Sequence, residues 1–286
     1  MVPAGPELWE QIAQRKDPAL RAATVERVRA MLASDVPADQ RAALRALSMS
    51  GDIRFDRTRF NAPLRGLLSS PDDEVRAAAL QALPSFEVGQ DDLQLVAPLA
   101  EDRSPRVRVH VASALAAANA RVGSAELDAA MLRLLDDPDM NVRRESMRAI
   151  NNIDVSEQVE AKMLALSRDP KIGRDAITLG LTSRPLVRGE VATRLIELLD
   201  DPDQGTIVNR ATFALRNATI EGDARAALDA ALLRTLEDSL NAGVRDNCIT
   251  ALARSPDPVI WARLAQLAED PNETERIREA AARVLR

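Results

Sequence analysis

The strongest constraint on this chain is a junction that returns, with small variations, along most of its length. An apolar helical run (Met131, Leu132, Leu134, Leu135) is broken by Asp137-Pro138-Asp139-Met140-Asn141, and a second run starts at Val142 and continues through Met147 and Ile150. Comparable junctions stand at Ser70-Pro71-Asp72-Asp73-Glu74-Val75-Arg76 and Asp102-Arg103-Ser104-Pro105-Arg106-Val107-Arg108. Others are at Asp169-Pro170, Asp201-Pro202, Asp238-Ser239 through Val244-Arg245, and Asp270-Pro271 through Ile277-Arg278. The β-branched residues that open the second runs fall at 75, 107, 142, 172, 208, 244 and 277, so the spacing stays between 30 and 36 residues. Such a period holds two helices of three to four turns and two short turns, and a fixed period of this size marks a stack of repeats rather than a single closed core.

Each junction has a local physical reason. Asp or Ser ahead of the second run can accept from the free N–H groups that open a helix, and acidic residues there suit the helix dipole. Proline stops the first run and is tolerated at the start of the second, where its missing N–H costs little. Val and Ala at helical spacing then put one apolar stripe against the partner helix. The spacing predicts a leading helix at about 7–15, followed by eight pairs: 18–33/37–49, 58–69/72–84, 91–102/105–118, 125–136/139–152, 156–168/171–182, 185–200/204–217, 222–238/241–253 and 257–269/273–285. The first junction, Ser34-Asp35-Val36-Pro37, matches the others least well.

Composition agrees with a helix-only vocabulary. Aromatic residues are 2% of the chain and tyrosine is absent, yet the hydrophobic fraction is 46%. Thin aliphatic layers can be built from such a palette, and a thick aromatic-anchored core cannot.

The pattern resembles the HEAT-repeat family, in the short bacterial form related to phycobilin-lyase-type repeats, from about residue 58 to the end. The resemblance implies an all-α fold: an α/α superhelix, a right-handed α-solenoid of about eight helix pairs plus the leading helix. It would be one domain over 1–286, least regular at 1–57, with the second helices lining the concave face. It also implies a ladder in which a turn Asp and an Arg six positions later link neighbouring repeats. Asp102/Arg108 and Asp137/Arg143 fit directly, and Ser70/Arg76, Ser239/Arg245 and Asn272/Arg278 fit with a substituted first member. Gly173 and Asn209 stand where the fifth and sixth pairs would need Arg, which puts those rungs in doubt. In function the resemblance implies only a class, because such arrays are mostly scaffolds and adaptors, with a few enzymes among them.

The chemistry-bearing residues are few. His110 is the only histidine and Cys248 the only cysteine, so neither a disulfide nor a zinc cage can be assembled. No nucleophile or orienting carboxylate is spaced to make His110 a catalytic base, and Cys248 reads as a small packed residue. Asp137, Asp139 and Asn141 copy the opening of a calcium loop, but Val142 takes the glycine place and Arg148 the bidentate glutamate place, so capping is the better reading. The expectation is no catalytic residue, no metal and no cofactor.

Two features stand above this background. In the third to sixth pairs the first helices with their trailing acids carry a net charge of −10 and the second helices +6. Arg106, Arg108, Arg143, Arg144, Arg148, Arg174, Arg210 and Arg216 thus form either a basic partner-binding stripe or a set of ladder arginines balanced by dipole-compensating acids. Their binding partner would be a protein or acidic peptide. The second feature is the connector Ser50 to Arg59, which holds Phe55 and Arg57 and is followed by Phe60; these either fold back over a packing gap or face a partner.

The functional expectation is a non-enzymatic protein-protein interaction scaffold binding along the second helices. One alternative is a lyase or chaperone factor for a prosthetic group, which should show aromatic pocket walls. Another, ranked lower, is a nucleic-acid-binding protein, which the formal net charge of −6 opposes. No stretch approaches the ~20 apolar residues of a membrane span. The N-terminus has neither the basic nor the apolar region of a signal, so the cytoplasm is the default location, with an exported domain that has lost its signal as the other reading. Trp9 and Leu8 are placed to cover the first pair, while the C-terminus stops inside a helical pattern and leaves self-association through the last repeat open.

Overall fold

A computed structural model describes residues 18–48, 58–86, 89–118, 124–153, 155–183, 189–216, 218, 220 and 222–286. The expected leading helix at 7–15, with Leu8 and Trp9, lies outside them, as do Phe55 and Arg57. Among the described residues sixteen helices and no strand are found. They are α1 (Pro18–Leu32), α2 (Pro37–Ser48), α3 (Thr58–Leu67), α4 (Asp73–Ala82), α5 (Gln90–Val96, extended by a 3₁₀ turn Ala97–Glu101), α6 (Pro105–Ala118), α7 (Ala125–Leu135) and α8 (Met140–Ala149). Then come α9 (Glu157–Leu166), α10 (Gly173–Asp175, running on through a π turn Ala176–Gly180), α11 (Gly189–Glu197) and α12 (Asn209–Leu215, preceded by a π turn Gln204–Val208). The last four are α13 (Gly222–Asp238), α14 (Ala242–Leu252), α15 (Pro258–Glu269) and α16 (Glu275–Val284). All eight pairs therefore stand where the junction spacing places them.

The turns behave as their sequence demands. Asp72 accepts from the Val75 N–H at 3.0 Å, Asp139 from Asn141 at 2.7 Å, Asp203 from Thr206 at 2.9 Å and Asn241 from Gly243 at 2.9 Å. Each side chain satisfies an N–H that the helix itself leaves unpaired. Linkers of three to six residues between paired helices force the second helix back along the first.

The chain divides into two compact units, Met1–Val159 and Glu160–Arg286. In the first, the second helices α2, α4, α6 and α8 lie side by side and the first helices cover their other side. In the second, α12, α14 and α16 do the same. Alanines make these rows possible: Ala79, Ala112 and Ala114 in one unit, and Ala211 and Ala281 in the other, are fully buried and let backbones approach. Between the layers lie Leu44, Leu80, Leu115, Leu127 and Leu134 in the first unit and Leu195, Leu228, Leu252 and Leu264 in the second. Each gains about 1.5–3 kcal/mol by leaving water, and each is covered from more than one helix, so no single helix could hold its own core. Phe60 is fully buried and so folds back into the stack rather than facing outward.

The ladder is real, with corrections. Arg76 donates to the Ser70 carbonyl at 2.7 Å and clamps Asp102 of the next repeat at 2.8 and 2.9 Å. Arg108 donates to the Asp102 carbonyl at 2.8 Å and clamps Asp137 at 2.6 and 2.9 Å. Arg245 donates to the Leu236 carbonyl rather than to Ser239, and it pairs with Glu273. Asn272 bonds Asp270, with no rung to Arg278 among the described residues. Arg143 makes no hydrogen-bonded rung among the described residues: it donates to Met140 Sδ at 3.5 Å, acts on Asp137 through its charge, and its buried Nε has no hydrogen-bond partner. A further rung that lies outside the expected pattern joins Arg65 to Asp92 at 2.5 and 2.8 Å.

The fifth and sixth pairs, where the expected Arg is missing, are also where the π turns occur. Gly173 permits the close approach of the Ser167 carbonyl, which would lie 2.8 Å from a Cβ at that position. The Ser167 carbonyl is instead taken by Arg194 of α11 at 3.2 Å. No rung forms at residue 173 among the described residues; Arg174, one residue on, instead reaches the capping Asp203 of the next turn at 2.5 Å, in an exposed pair.

Candidate protein-interaction surface

In the first unit, α2, α4 and α6 floor a shallow groove of about 370 Å³. Arg41 and Arg45 project from α2, Glu74 and Gln81 from α4, and Arg106 and His110 from α6. The spacings of four and seven residues put each pair on one face of its helix. Glu74 sits between two cations, 3.1 Å from Arg41 and 2.7 Å from Arg106. Arg41 also approaches Asp72 at 3.5 Å, whereas Arg45 has no ion-pair partner among the described residues. The Arg106 side chain is 69% exposed against 46% for Glu74, so the guanidinium stands farther into solvent than the carboxylate it pairs with. Burial pushes the His110 imidazole below its ordinary pKa, with Glu145 of α8 opposing. Among the described residues no hydrogen bond joins it to a carboxylate.

The eight arginines read from the sequence separate into distinct environments. Arg108 is a ladder residue, its side chain 13% exposed and bonded through all three guanidinium nitrogens to Asp137 and the Asp102 carbonyl. Arg143 is half-buried beside Met140, and Arg148 is exposed and paired with Glu145 of its own helix. Arg144 is half-buried on α8. Arg106 belongs to the groove just described. In the second unit Arg174 is exposed and bound to Asp203, Arg210 donates to the Thr178 carbonyl at 2.9 Å, and Arg216 donates to Asn247 Oδ1 at 3.3 Å. The structure thus brings Arg106 together with Arg41 and Arg45, and it sets Arg210 in the first turn of α12 and Arg216 at its C-cap. Counting charge only from the third pair onward missed Arg41, Arg45, Glu74 and Gln81, although the four-residue spacing of Arg41 and Arg45 was there to be seen.

The carboxylates of the ladder explain part of the charge split. Arg65 holds Asp92 well below the usual carboxylate range. Burial pushes Asp102 and Asp137 up, but the hydrogen bonds from Arg76 and Arg108, with those from the Ser104 and Asp139 N–H groups, outweigh it, and both end below their ordinary values. These acids are spoken for structurally. Among the described residues no group of three or more His, Cys, Asp or Glu is placed to hold a metal ion, and no helix is long and apolar enough to cross a membrane.

Paired helices, stacked second-helix rows and an Arg–Asp ladder define an all-α repeat fold of the HEAT-like solenoid type. Two solved structures share this kind of fold. An engineered protein known from a crystal structure is similar over 91% of this chain and 76% of its own, with a TM-score of 0.56 at 20% identity. Importin β is similar over 94% of this chain with a TM-score of 0.54 at 14% identity, and this chain spans 40% of importin β. A designed armadillo repeat protein aligns over 79% of this chain and 97% of its own, with a TM-score of 0.38 at 18% identity. No protein-family model and no curated protein matches the chain.

Proposed function

We propose that this chain is a non-enzymatic interaction scaffold that receives an acidic peptide or protein segment on its second-helix face. The observation that carries this reading is the groove of the first unit, where Arg41 and Arg106 pair with Glu74, the one acid of its lining, and Arg45 lines the same groove. A surplus of guanidinium groups on a rigid helical floor favours carboxylates, each of which can accept two parallel N–H bonds. The groove runs across three neighbouring second helices and is not closed over, which suits a peptide segment better than an enclosed small molecule.

Selection from an unbiased peptide-display library tests the reading. Enriched sequences should carry net negative charge, and their affinity should fall as salt is raised through about 0.15 M. Arg45→Glu combined with Arg106→Glu should weaken them by about tenfold or more, with the helical circular-dichroism signal unchanged. Enrichment of neutral or basic sequences, or an affinity indifferent to the double reversal, would remove the proposal.

A further inference from the structure

In the second unit one large apolar side chain is set where no core needs it. Phe213 on α12 is 57% exposed, although the chain has only four phenylalanines and two tryptophans. The layer beneath it is already closed by Ala211, Ala214 and Leu215, each buried. The ring is flanked at three residues on either side by Arg210 and Arg216, which helical spacing places on its own face.

Both arginines are tethered outward to neighbouring repeats. Arg210 Nη1 donates to the Thr178 carbonyl at 2.9 Å. The Arg216 guanidinium lies over the Phe213 ring, 5.4 Å from its centre, and donates to Asn247 Oδ1 at 3.3 Å. Asn247 is itself buried, and its Nδ2 donates to Asn209 Oδ1 at 3.1 Å and Thr212 Oγ1 at 3.3 Å. Those acceptors fix which end of the amide faces Arg216, so the cation is held over the ring by a buried polar network rather than by chance. Two other arginines of the same unit are also more exposed than their acids: Arg174 is 62% exposed against 30% for Asp203, and Arg283 64% against 27% for Asp246.

We propose that Phe213, fixed between Arg210 and Arg216, is a second contact point of the scaffold and seats an aliphatic or aromatic side chain of a partner segment that carries carboxylates on both sides of that residue. The inference rests on the acidic-segment reading but on different residues in the other unit. An aromatic face stacked by a cation leaves its uncovered edge for apolar contact, and the guanidinium retains N–H groups for a carboxylate. Rigid aromatic and arginine side chains are the types that concentrate binding energy in protein interfaces.

The test uses two short fluorescein-labelled peptides of equal net negative charge, one with a central leucine and the other with serine in its place. Fluorescence anisotropy should show the wild-type chain preferring the leucine peptide by about tenfold. Phe213→Ala should erase that preference and leave the serine peptide's affinity within about twofold, while Phe213→Leu should retain it. Equal binding of both peptides by the wild type, a preference that survives in Phe213→Ala, or binding of neither peptide overturns the proposal. The Arg45→Glu, Arg106→Glu variant separates the two readings. The serine peptide's response to that reversal reports on the groove, and the difference between the peptides reports on Phe213.

Discussion

The Arg108 guanidinium holds both carboxylate oxygens of Asp137, 29 residues further along the chain, at 2.6 and 2.9 Å. Its remaining nitrogen donates to the carbonyl of Asp102 in its own turn. One side chain thereby ties two repeats and a turn together. The side chains are 13% and 5% exposed, so the pair is largely out of water.

Removing one member of such a pair leaves an uncompensated buried charge. Arg108→Ala should therefore cost about 3–5 kcal/mol in urea unfolding, whereas Arg106→Ala, which breaks the exposed pair with Glu74, should cost less than about 1 kcal/mol. Equal losses in the two variants would show that the ladder is not a distinct source of stability.

The ladder acids also set the response to acid. Asp92, Asp102, Asp137 and Glu273 all have folded-state values below their ordinary ones. A depressed carboxylate stabilises the fold above the unfolded value of about 4 and loses that contribution as pH falls through the folded value. Calorimetry should find Tm nearly level from about pH 8 to about pH 5 and falling steeply below about pH 4. Asp102→Asn with Asp137→Asn should start from a lower Tm and show a shallower acid slope. An unchanged slope would place the acid sensitivity elsewhere.

Gly173 offers a test of opposite sign to ordinary helix propensity. Replacing a helical glycine by alanine usually stabilises by up to about 1 kcal/mol, and Gly66→Ala, with nothing within 4 Å of the new Cβ, should do so or be neutral. At Gly173 the Cβ meets the Ser167 carbonyl at 2.8 Å, so Gly173→Ala should destabilise by about 1–3 kcal/mol. Thermal unfolding of the two variants side by side decides the matter.

Cys248 is fully buried, and burial pushes its thiol up to about 12, with Arg245 only partly opposing. The thiolate is the reactive form, so iodoacetamide at about pH 8 should leave the native chain unmodified. Labelling should appear in urea together with the loss of helix. Fast labelling of the native protein would mean that this part of the second unit opens readily.

The helix pairs were legible in the sequence because their causes are local. A capping Asp such as Asp139, a proline such as Pro138 and the apolar stripe from Val142 to Ile150 all act within a few residues, and the repeat confirmed each by recurrence. Ladder members were legible only in part. Arg76 and Arg108 conform, while Arg245 pairs with Glu273, and Arg143, which fits the sequence rule as directly as Arg108, donates to a thioether and touches Asp137 through its charge alone.

What the sequence by itself determined is the alternation of helices and turns, the aliphatic layers and the all-α repeat class. These follow from periodicities of four and about thirty residues that need no knowledge of neighbours. Tertiary structure alone decided which arginines face solvent. It buried Arg108 in a ladder, gathered Arg41, Arg45 and Arg106 in one groove with Glu74, and left Phe213 exposed between Arg210 and Arg216. The physical reason is that a long charged side chain takes its position from partners 26 to 37 residues away, and a few degrees of rotation about the helix axis choose between a buried ion pair and an open surface.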